Sequence, residues 1–230
     1  MRRRAMILGG VLLLAGAAMA QPLRDRLLQA GRAGLAAVQT FASSTPEEAE
    51  LTLPEIGIWA LQLGVFDSGE RAAQEQERLL AQGIPCAVWQ REQMRLICEA
   101  APAKDALEMA AAGGQETFVI AETAPQVSLR LSAAQGEAQE AAAFLALPDE
   151  LLERLFAGEP LTELVAKTRE TAERALTAHP QSTIYTQLAQ SLVNWCALME
   201  QTIQTQTGAS AYARVTMYML CRELRLTLNG

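Results

Sequence analysis

A single histidine, His179, restricts the acid–base and metal chemistry open to this chain. Sites built on several histidine ligands are excluded, and no serine lies in a GxSxG motif that would mark an activated nucleophile. One histidine is enough for Ser–His catalysis, but His179 precedes Pro180 at a predicted helix end, where capping is the simpler role. Acidic runs such as Glu47, Glu48 and Glu50 are typical of solvated segments. We therefore predict a protein that is not an enzyme and that binds no metal or other cofactor.

The four cysteines, Cys86, Cys98, Cys196 and Cys221, lack the CxxC or CxxH spacing that favours metal binding. All four lie in segments with periodic apolar residues, so the simplest interpretation is that they are small buried side chains. In an oxidising compartment, a bridge between Cys196 and Cys221 on two neighbouring predicted helices is the one disulfide that stays open.

The chain is acidic, with a formal net charge of −7 and a pI of about 4.9. Nucleic-acid binding needs clustered Lys and Arg, and no such cluster follows Arg4. We therefore expect no nucleic-acid partner. The length of 230 residues, half of them apolar, is enough for one ordinary core or two small ones.

The first twenty residues, MRRRAMILGGVLLLAGAAMA, join a basic start to an apolar stretch. The stretch is shorter than the roughly 20 apolar residues of a comfortable membrane span, and Ala18-Met19-Ala20 has the form of a cleavage site. Residues 1–20 are therefore predicted to be a signal peptide or an N-terminal membrane anchor, with the remainder extracytoplasmic, either membrane-anchored or secreted to the cell envelope. Residues 21–54 are predicted to be a juxtamembrane helix and a polar linker.

A two-residue period begins near Ile58 and predicts a strand whose buried side carries Trp59, Leu61, Leu63 and Val65. Asp67 then caps a predicted helix that ends at Gly83. A hairpin from IPCAVWQ to MRLIC, a helix from about residue 103 and the strand ETFVIA complete a β-α-β-β-α-β order. That order predicts an α+β fold of the ferredoxin-like type, with two helices on one face of a four-stranded antiparallel sheet and the other face open. QVSLRLS is predicted to add an edge strand.

Helical periodicity continues from residue 137 to 230 and predicts a C-terminal α-helical bundle. One helix is predicted to begin at Pro148 and stop at Gly158, and the last is predicted to begin near Ser210.

The segment WALQLGVFDSGERAAQEQERLLAQGIPCAVW resembles the SPOR domain, a peptidoglycan-binding module of bacterial cell division and sporulation proteins. LQLGVF matches the hydrophobic-Gln-hydrophobic-Gly-x-Phe run of the family's first strand, and the Ala- and Leu-containing helix that ends at Gly83 matches its first helix. MRLIC resembles the third strand, whose arginine falls at Arg95. Glu99 departs from the Gly-Pro-Phe that usually follows that strand. The resemblance assigns residues 55–132 to a SPOR-like domain.

The resemblance implies a ligand, peptidoglycan glycan strands stripped of their stem peptides, held on the open sheet face. Side-chain parity places Gln62 and Trp89 on that face, where an amide can donate to and accept from sugar hydroxyls and an indole can stack on a sugar ring. Arg95 is the third candidate. Each has a plainer interpretation: Gln62 as a solvated residue, Trp89 as a cover for the sheet edge or a residue packed under the bundle, and Arg95 as a surface charge.

These features predict an exported or membrane-anchored protein that binds denuded wall glycan during cell division or sporulation without cleaving it. The alternative is an extracytoplasmic scaffold whose C-terminal helical bundle binds a protein partner. The membrane is a further partner if residues 1–20 are retained.

Overall fold

A computed structural model describes residues 47–107, 117–133, 137–178, 183–206 and 208–229. Within them the fold is mixed α+β, with two antiparallel sheets followed by helices. In chain order the strands are β1 (Glu47–Leu53), β2 (Ile56–Phe66), β3 (Ala87–Gln90), β4 (Met94–Ala101), β5 (Phe118–Ala124) and β6 (Val127–Ala133). The helices are α1 (Gly69–Ala81), α2 (Glu137–Phe156), α3 (Leu161–Ala178), α4 (Thr183–Thr205) and α5 (Ala209–Asn229).

Strands β2 to β5 form the larger sheet, in the order β3-β4-β2-β5 with every neighbouring pair antiparallel. Helix α1 connects β2 to β3 and packs against the sheet. A helical turn at residues 105–107 follows β4, and the rest of the predicted second helix lies outside the described residues. The predicted strands of this unit are therefore present, and their spatial order differs from their order in the chain.

The face of the sheet on the side of α1 carries two small apolar clusters. One contains Leu61, and the other contains Leu63 and Phe66 of β2 together with Leu79 of α1. The prediction for Val65 was wrong, because this side chain is 43% exposed. Register shifts on either side of Gln62 change the parity of β2, so that Phe66 takes the inward position. A Cβ at Gly64 would lie 2.9 Å from the Phe66 ring, so the glycine leaves room for that ring.

The residues at both ends of α1 are of types that commonly begin and end a helix. Its N-cap is Ser68, not the predicted Asp67, and the Ser68 Oγ accepts a hydrogen bond from the Arg71 amide at 3.3 Å. Gly83, with φ of 81°, follows the last turn as predicted, in a left-handed conformation that favours glycine.

Strands β1 and β6 pair with each other in a separate two-stranded ribbon, which packs against α2. The prediction of a linker up to residue 54 was therefore wrong from Glu47 onward. Leu51 and Leu53 are buried and alternate with exposed Glu50 and Thr52, a two-residue period that the Glu-rich composition concealed. The edge strand predicted at residues 126–132 is β6, which pairs with β1 rather than with the larger sheet.

The C-terminal helices pack as two main contacts, α3 along α4 and α2 along α5. Helix α2 begins at Glu137 and contains Pro148, so the predicted start at Pro148 was wrong; Ala138, Phe144 and Leu145 supply a buried face before the proline. The predicted stop at Gly158 and the start of the last helix near residue 210 agree with the structure. Trp195 of α4 donates a 3.0 Å hydrogen bond to the Thr216 hydroxyl of α5.

The expectation of an open sheet face was wrong. Helix α5 packs against β3, β4 and β5 on the face opposite α1, so Ile58, Ala60 and Ile97 of the sheet belong to the same apolar cluster as Met217 and Cys221 of the helix. A helix with apolar residues on most of its circumference buries more area between a sheet and other helices than at the edge of a bundle.

Arg225 of α5 has no solvent exposure, and oxygen atoms contact both of its Nη atoms, whereas its Nε has no partner among the described residues. Its Nη1 lies 2.7 Å from one carboxylate oxygen of Asp149 in α2, and its Nη2 contacts the other. Nη2 also donates to the Pro54 carbonyl at 3.0 Å, and Nη1 donates to the Cys221 carbonyl at 3.2 Å. One side chain therefore joins α5, α2 and the β1–β2 junction.

We predict that Arg225→Met lowers the free energy of unfolding by about 3–5 kcal/mol, because it leaves the Asp149 carboxylate without a partner in a largely buried site. Adding Asp149→Leu should recover part of that loss, since both charges are then removed. Urea unfolding followed by circular dichroism measures both values.

The matched control is Arg174→Met, which removes an ion pair with Glu170 on α3 where both side chains are more than 70% exposed. It should change the free energy of unfolding by less than about 0.5 kcal/mol. Equal losses at Arg225 and Arg174 would contradict a special role for the buried charge.

Candidate functional site

The three residues predicted to bind glycan lie on one face of the larger sheet. Trp89 and Arg95 are direct cross-strand partners, and Gln62 pairs with Ile97 on the same face. This is the face that α5 covers: Gln62 is 6% exposed and Trp89 only 3%, while the Arg95 side chain is 32% exposed. The structure thus brings the three together on a face that α5 covers, with Gln62 and Trp89 buried and Arg95 partly exposed.

The Trp89 ring makes its contacts with side chains of the protein. Tyr218 of α5 meets it edge to face, with ring centroids 5.6 Å apart and an interplanar angle of 78°. The guanidinium groups of Arg91 and Arg222 lie 4.7 Å and 5.9 Å from the ring centroid. The aromatic surface that was predicted to stack on sugar therefore packs under α5. This agrees with the alternative interpretation, in which Trp89 packs under the bundle.

Three arginines converge around Glu122 of β5, whose side chain is 11% exposed. Arg91 forms an ion pair with Glu122, and Arg95 Nη1 lies 3.8 Å from its other oxygen. Arg222 approaches from α5 and is paired with Glu223 at 3.0 Å. Burial, and after it the charge of Arg91, lower the pKa of Arg222 from its usual value. Positive charge is therefore concentrated between the sheet and α5.

Several polar atoms of this interface are buried and have no hydrogen-bond partner among the described residues. They are Gln62 Oε1, the Tyr218 hydroxyl and the Nε atoms of Arg91, Arg95 and Arg222. Each such atom costs roughly 1–3 kcal/mol of lost hydration. Burial raises the pKa of Tyr218, so its hydroxyl is protonated at neutral pH. The contact between α5 and the sheet therefore buries mainly apolar surface, and several of its polar atoms lack hydrogen-bond partners among the described residues.

Glu99, the residue that departs from the SPOR pattern, forms an ion pair between β4 and α5. Its two oxygens accept hydrogen bonds from Arg214 Nε and Nη2, each at 2.9 Å, and one of them also accepts from the Ala100 amide at 3.0 Å. β4 continues as a strand to Ala101, so the carboxylate does not mark a turn. The departure supplies an ion pair between the sheet and the helix.

Sequence reasoning missed the residues of α5 that meet the sheet. Arg214, Tyr218 and Arg222 meet the larger sheet, and Arg225 meets Asp149 and Pro54. The four are spaced by four, four and three residues, which places them along one stripe of the helix. The sequence did carry a signal for this contact, namely three arginines on one stripe of an otherwise apolar helix. Such charges need partners on another element when they are buried.

The described residues include few side chains arranged for metal binding or for nucleophilic chemistry. Among them no group of three or more His, Cys, Asp or Glu side chains is placed to hold a metal ion, and His179 lies outside the described residues. Burial raises the pKa of Cys86, Cys98 and Cys196 to about 12 each, so these thiols are protonated and weakly nucleophilic at neutral pH. In the same part of the chain, no helix has the length and hydropathy of a membrane span.

We predict that Tyr218→Phe leaves the free energy of unfolding unchanged or raises it by up to about 1 kcal/mol, because the buried hydroxyl that it removes has no partner. Thr216→Val on the same helix should lower it by about 1–3 kcal/mol, since Trp195 Nε1 then loses its acceptor. Urea unfolding of the two variants makes the comparison. A clear loss for Tyr218→Phe would show that the hydroxyl is hydrogen-bonded.

Comparison of the chain with protein-family profiles, with curated protein sequences and with solved structures finds no match to any of them.

Proposed function

We propose that this chain is a non-catalytic protein of the bacterial cell envelope with a ferredoxin-like, SPOR-type unit at residues 55–132 that recognises denuded peptidoglycan glycan. The observation that carries the proposal is the convergence of Gln62, Trp89 and Arg95 on one face of a four-stranded antiparallel sheet in the order β3-β4-β2-β5. Export or membrane anchoring through residues 1–20, and a role in cell division or sporulation, belong to the same proposal.

Recognition by this face requires α5 to move away from it. Gln62 and Trp89 are nearly inaccessible in the described conformation, so a glycan strand and α5 compete for the same surface. The protein therefore binds glycan through a minor open state, and the fraction of molecules in that state sets the apparent affinity.

The hydrogen bonding at the contact supports such an exchange. A glycan offers hydroxyl and amide groups to Gln62 Oε1 and to the arginine Nε atoms, which have no partner beneath α5 among the described residues. The sugar ring face replaces Tyr218 on Trp89, so the apolar contact is also kept. Part of the cost of displacing α5 is thus returned by the ligand.

A second candidate function is that of a scaffold for a protein partner, favoured by the ion pair between Glu99 and Arg214. This pair and the Trp89–Tyr218 contact hold the helical region on the sheet in one orientation. In that case the α/β unit is a support, and the C-terminal helices present the binding surface.

Sedimentation of residues 21–230 with purified peptidoglycan sacculi, before and after amidase treatment, tests the proposal. We predict that Arg214→Glu, which places a second carboxylate beside Glu99, increases binding to amidase-treated sacculi by about tenfold, the effect of about 1.4 kcal/mol on the closed state. Gln62→Ala in the Arg214→Glu background should reverse most of that gain. Soluble sugar products are not expected from any of these proteins.

Arg174→Glu is the matched control, because it makes the same change of charge on an exposed part of α3. It should sediment like the unaltered protein, and circular dichroism confirms that each variant is folded. Absence of binding in every variant would refute glycan recognition and favour the scaffold. Equal gains from Arg214→Glu and Arg174→Glu would refute control by α5.

A further inference from the structure

Cys86 immediately precedes β3, and Cys98 lies on β4 next to Ile97, the partner of Ala87. The paired register ends at Ala87 and Ile97, and its continuation by one residue would set Cys86 opposite Cys98. In this register the Arg91 amide donates to the Gln93 carbonyl at 3.0 Å, which marks residues 91 and 93 as a hydrogen-bonded pair. Pairs alternate along an antiparallel ladder, so in this continuation Cys86 and Cys98 take a non-hydrogen-bonded position.

Non-hydrogen-bonded pairs bring side chains closest, with Cα atoms about 4.5 Å apart, and disulfides accept Cα separations of roughly 4.4–6.8 Å. Both cysteines also belong to the apolar cluster beneath α1 that contains Leu79 and Leu96, so their side chains point to the same side of the hairpin. Cys98 Sγ donates to the Leu61 carbonyl at 3.6 Å, so a bond to Cys86 requires rotation about the Cα–Cβ bond of Cys98.

We propose that Cys86 and Cys98 form a cross-strand disulfide when the chain folds in an oxidising compartment. The oxidant is a disulfide of low molecular mass or a dithiol oxidase. The thiolate of one cysteine attacks the oxidant disulfide and releases one of its thiols, and the second thiolate then displaces the other thiol from the mixed disulfide. The two cysteines lose two electrons and two protons, and the oxidant is reduced to two thiols.

The timing of the reaction follows from burial. In the folded chain Cys86 is completely buried beneath α1, and desolvation raises the pKa of both thiols to about 12. Thiolate is therefore scarce once α1 is in place, and oxidation occurs while the hairpin is still accessible. The bridge then ties edge strand β3, which carries Trp89, to β4.

All four cysteines are free thiols in the structure, and Cys196 and Cys221 serve as internal controls. Cys196 Sγ points to the Val165 carbonyl at 3.5 Å, between α4 and α3. Cys221 is buried beside Asp149 and Arg225, at the contact of α5 with α2. They lie at different helix contacts, so their positions do not favour the Cys196–Cys221 bridge considered from the sequence.

The experiment refolds the reduced chain in a glutathione redox buffer, alkylates the remaining thiols and digests the product with trypsin without reduction. We expect two of the four thiols to be lost and residues 79–91 to be linked to residues 96–104, because trypsin cleaves after Arg91 and Arg95. Mass spectrometry identifies the pair. Reductant should lower the thermal midpoint of the refolded protein by on the order of 5 °C or more.

The variant with Cys196→Ala and Cys221→Ala should form the same link, and Cys86→Ala or Cys98→Ala should abolish it. Protein purified after export to an oxidising compartment gives a second measurement that is independent of refolding. Four free thiols in natively folded protein from either source, glutathione adducts alone, or a link to Cys196 or Cys221 would overturn the proposal.

Discussion

A positive charge with no access to water lies where the sheets and the helices meet, and the arrangement of both depends on it. Removing a guanidinium from water costs several kcal/mol unless oxygen atoms replace the hydration. Arg225 obtains them from Asp149 on α2, from Pro54 between β1 and β2, and from the carbonyl of Cys221. Helix α5 cannot slide along the sheet without leaving these oxygens, so this one residue sets where α5 lies on the sheet.

Helix α5 in turn makes one core out of what would otherwise be two. One stripe of it, containing Arg214, Tyr218 and Arg222, contacts the larger sheet, and Thr216 contacts Trp195 of α4. One continuous apolar cluster extends from β2 and β4 into the helices. The sheet and the helices therefore bury their apolar residues against each other. The access of any ligand to the sheet then depends on how firmly one helix is held.

Much of the local structure could be predicted from the sequence, because it depends on near neighbours. The alternation in β2, the glycine after α1 and the helical stripes after residue 137 act within a few residues and were readable. The parity that put Gln62, Trp89 and Arg95 on one face also agrees with the observed pairings.

The remainder depended on partners distant in the chain. The ribbon between β1 and β6 joins residues about eighty apart, and its Glu-rich sequence resembles a linker until its partner is known. Parity cannot show what covers a sheet face, so an open face was inferred where α5 is seated. Glu99 has a clear role only beside Arg214, which lies 115 residues further along the chain.

The ribbon also determines how the protein would respond to tension. Any pull on the segment before residue 47 enters the fold through β1, whose first residue, Glu47, lies opposite Ala133 at the end of β6. A pull along the strand axis loads the ribbon in shear, so the hydrogen bonds between the two strands resist together rather than one after another. At the far end of β1 the Pro54 carbonyl is bonded to Arg225, which passes the load to α5 and α2. The helices therefore support β1, where the preceding segment joins the fold. A load applied there is carried by the ribbon and the helices before it reaches the sheet that α5 covers.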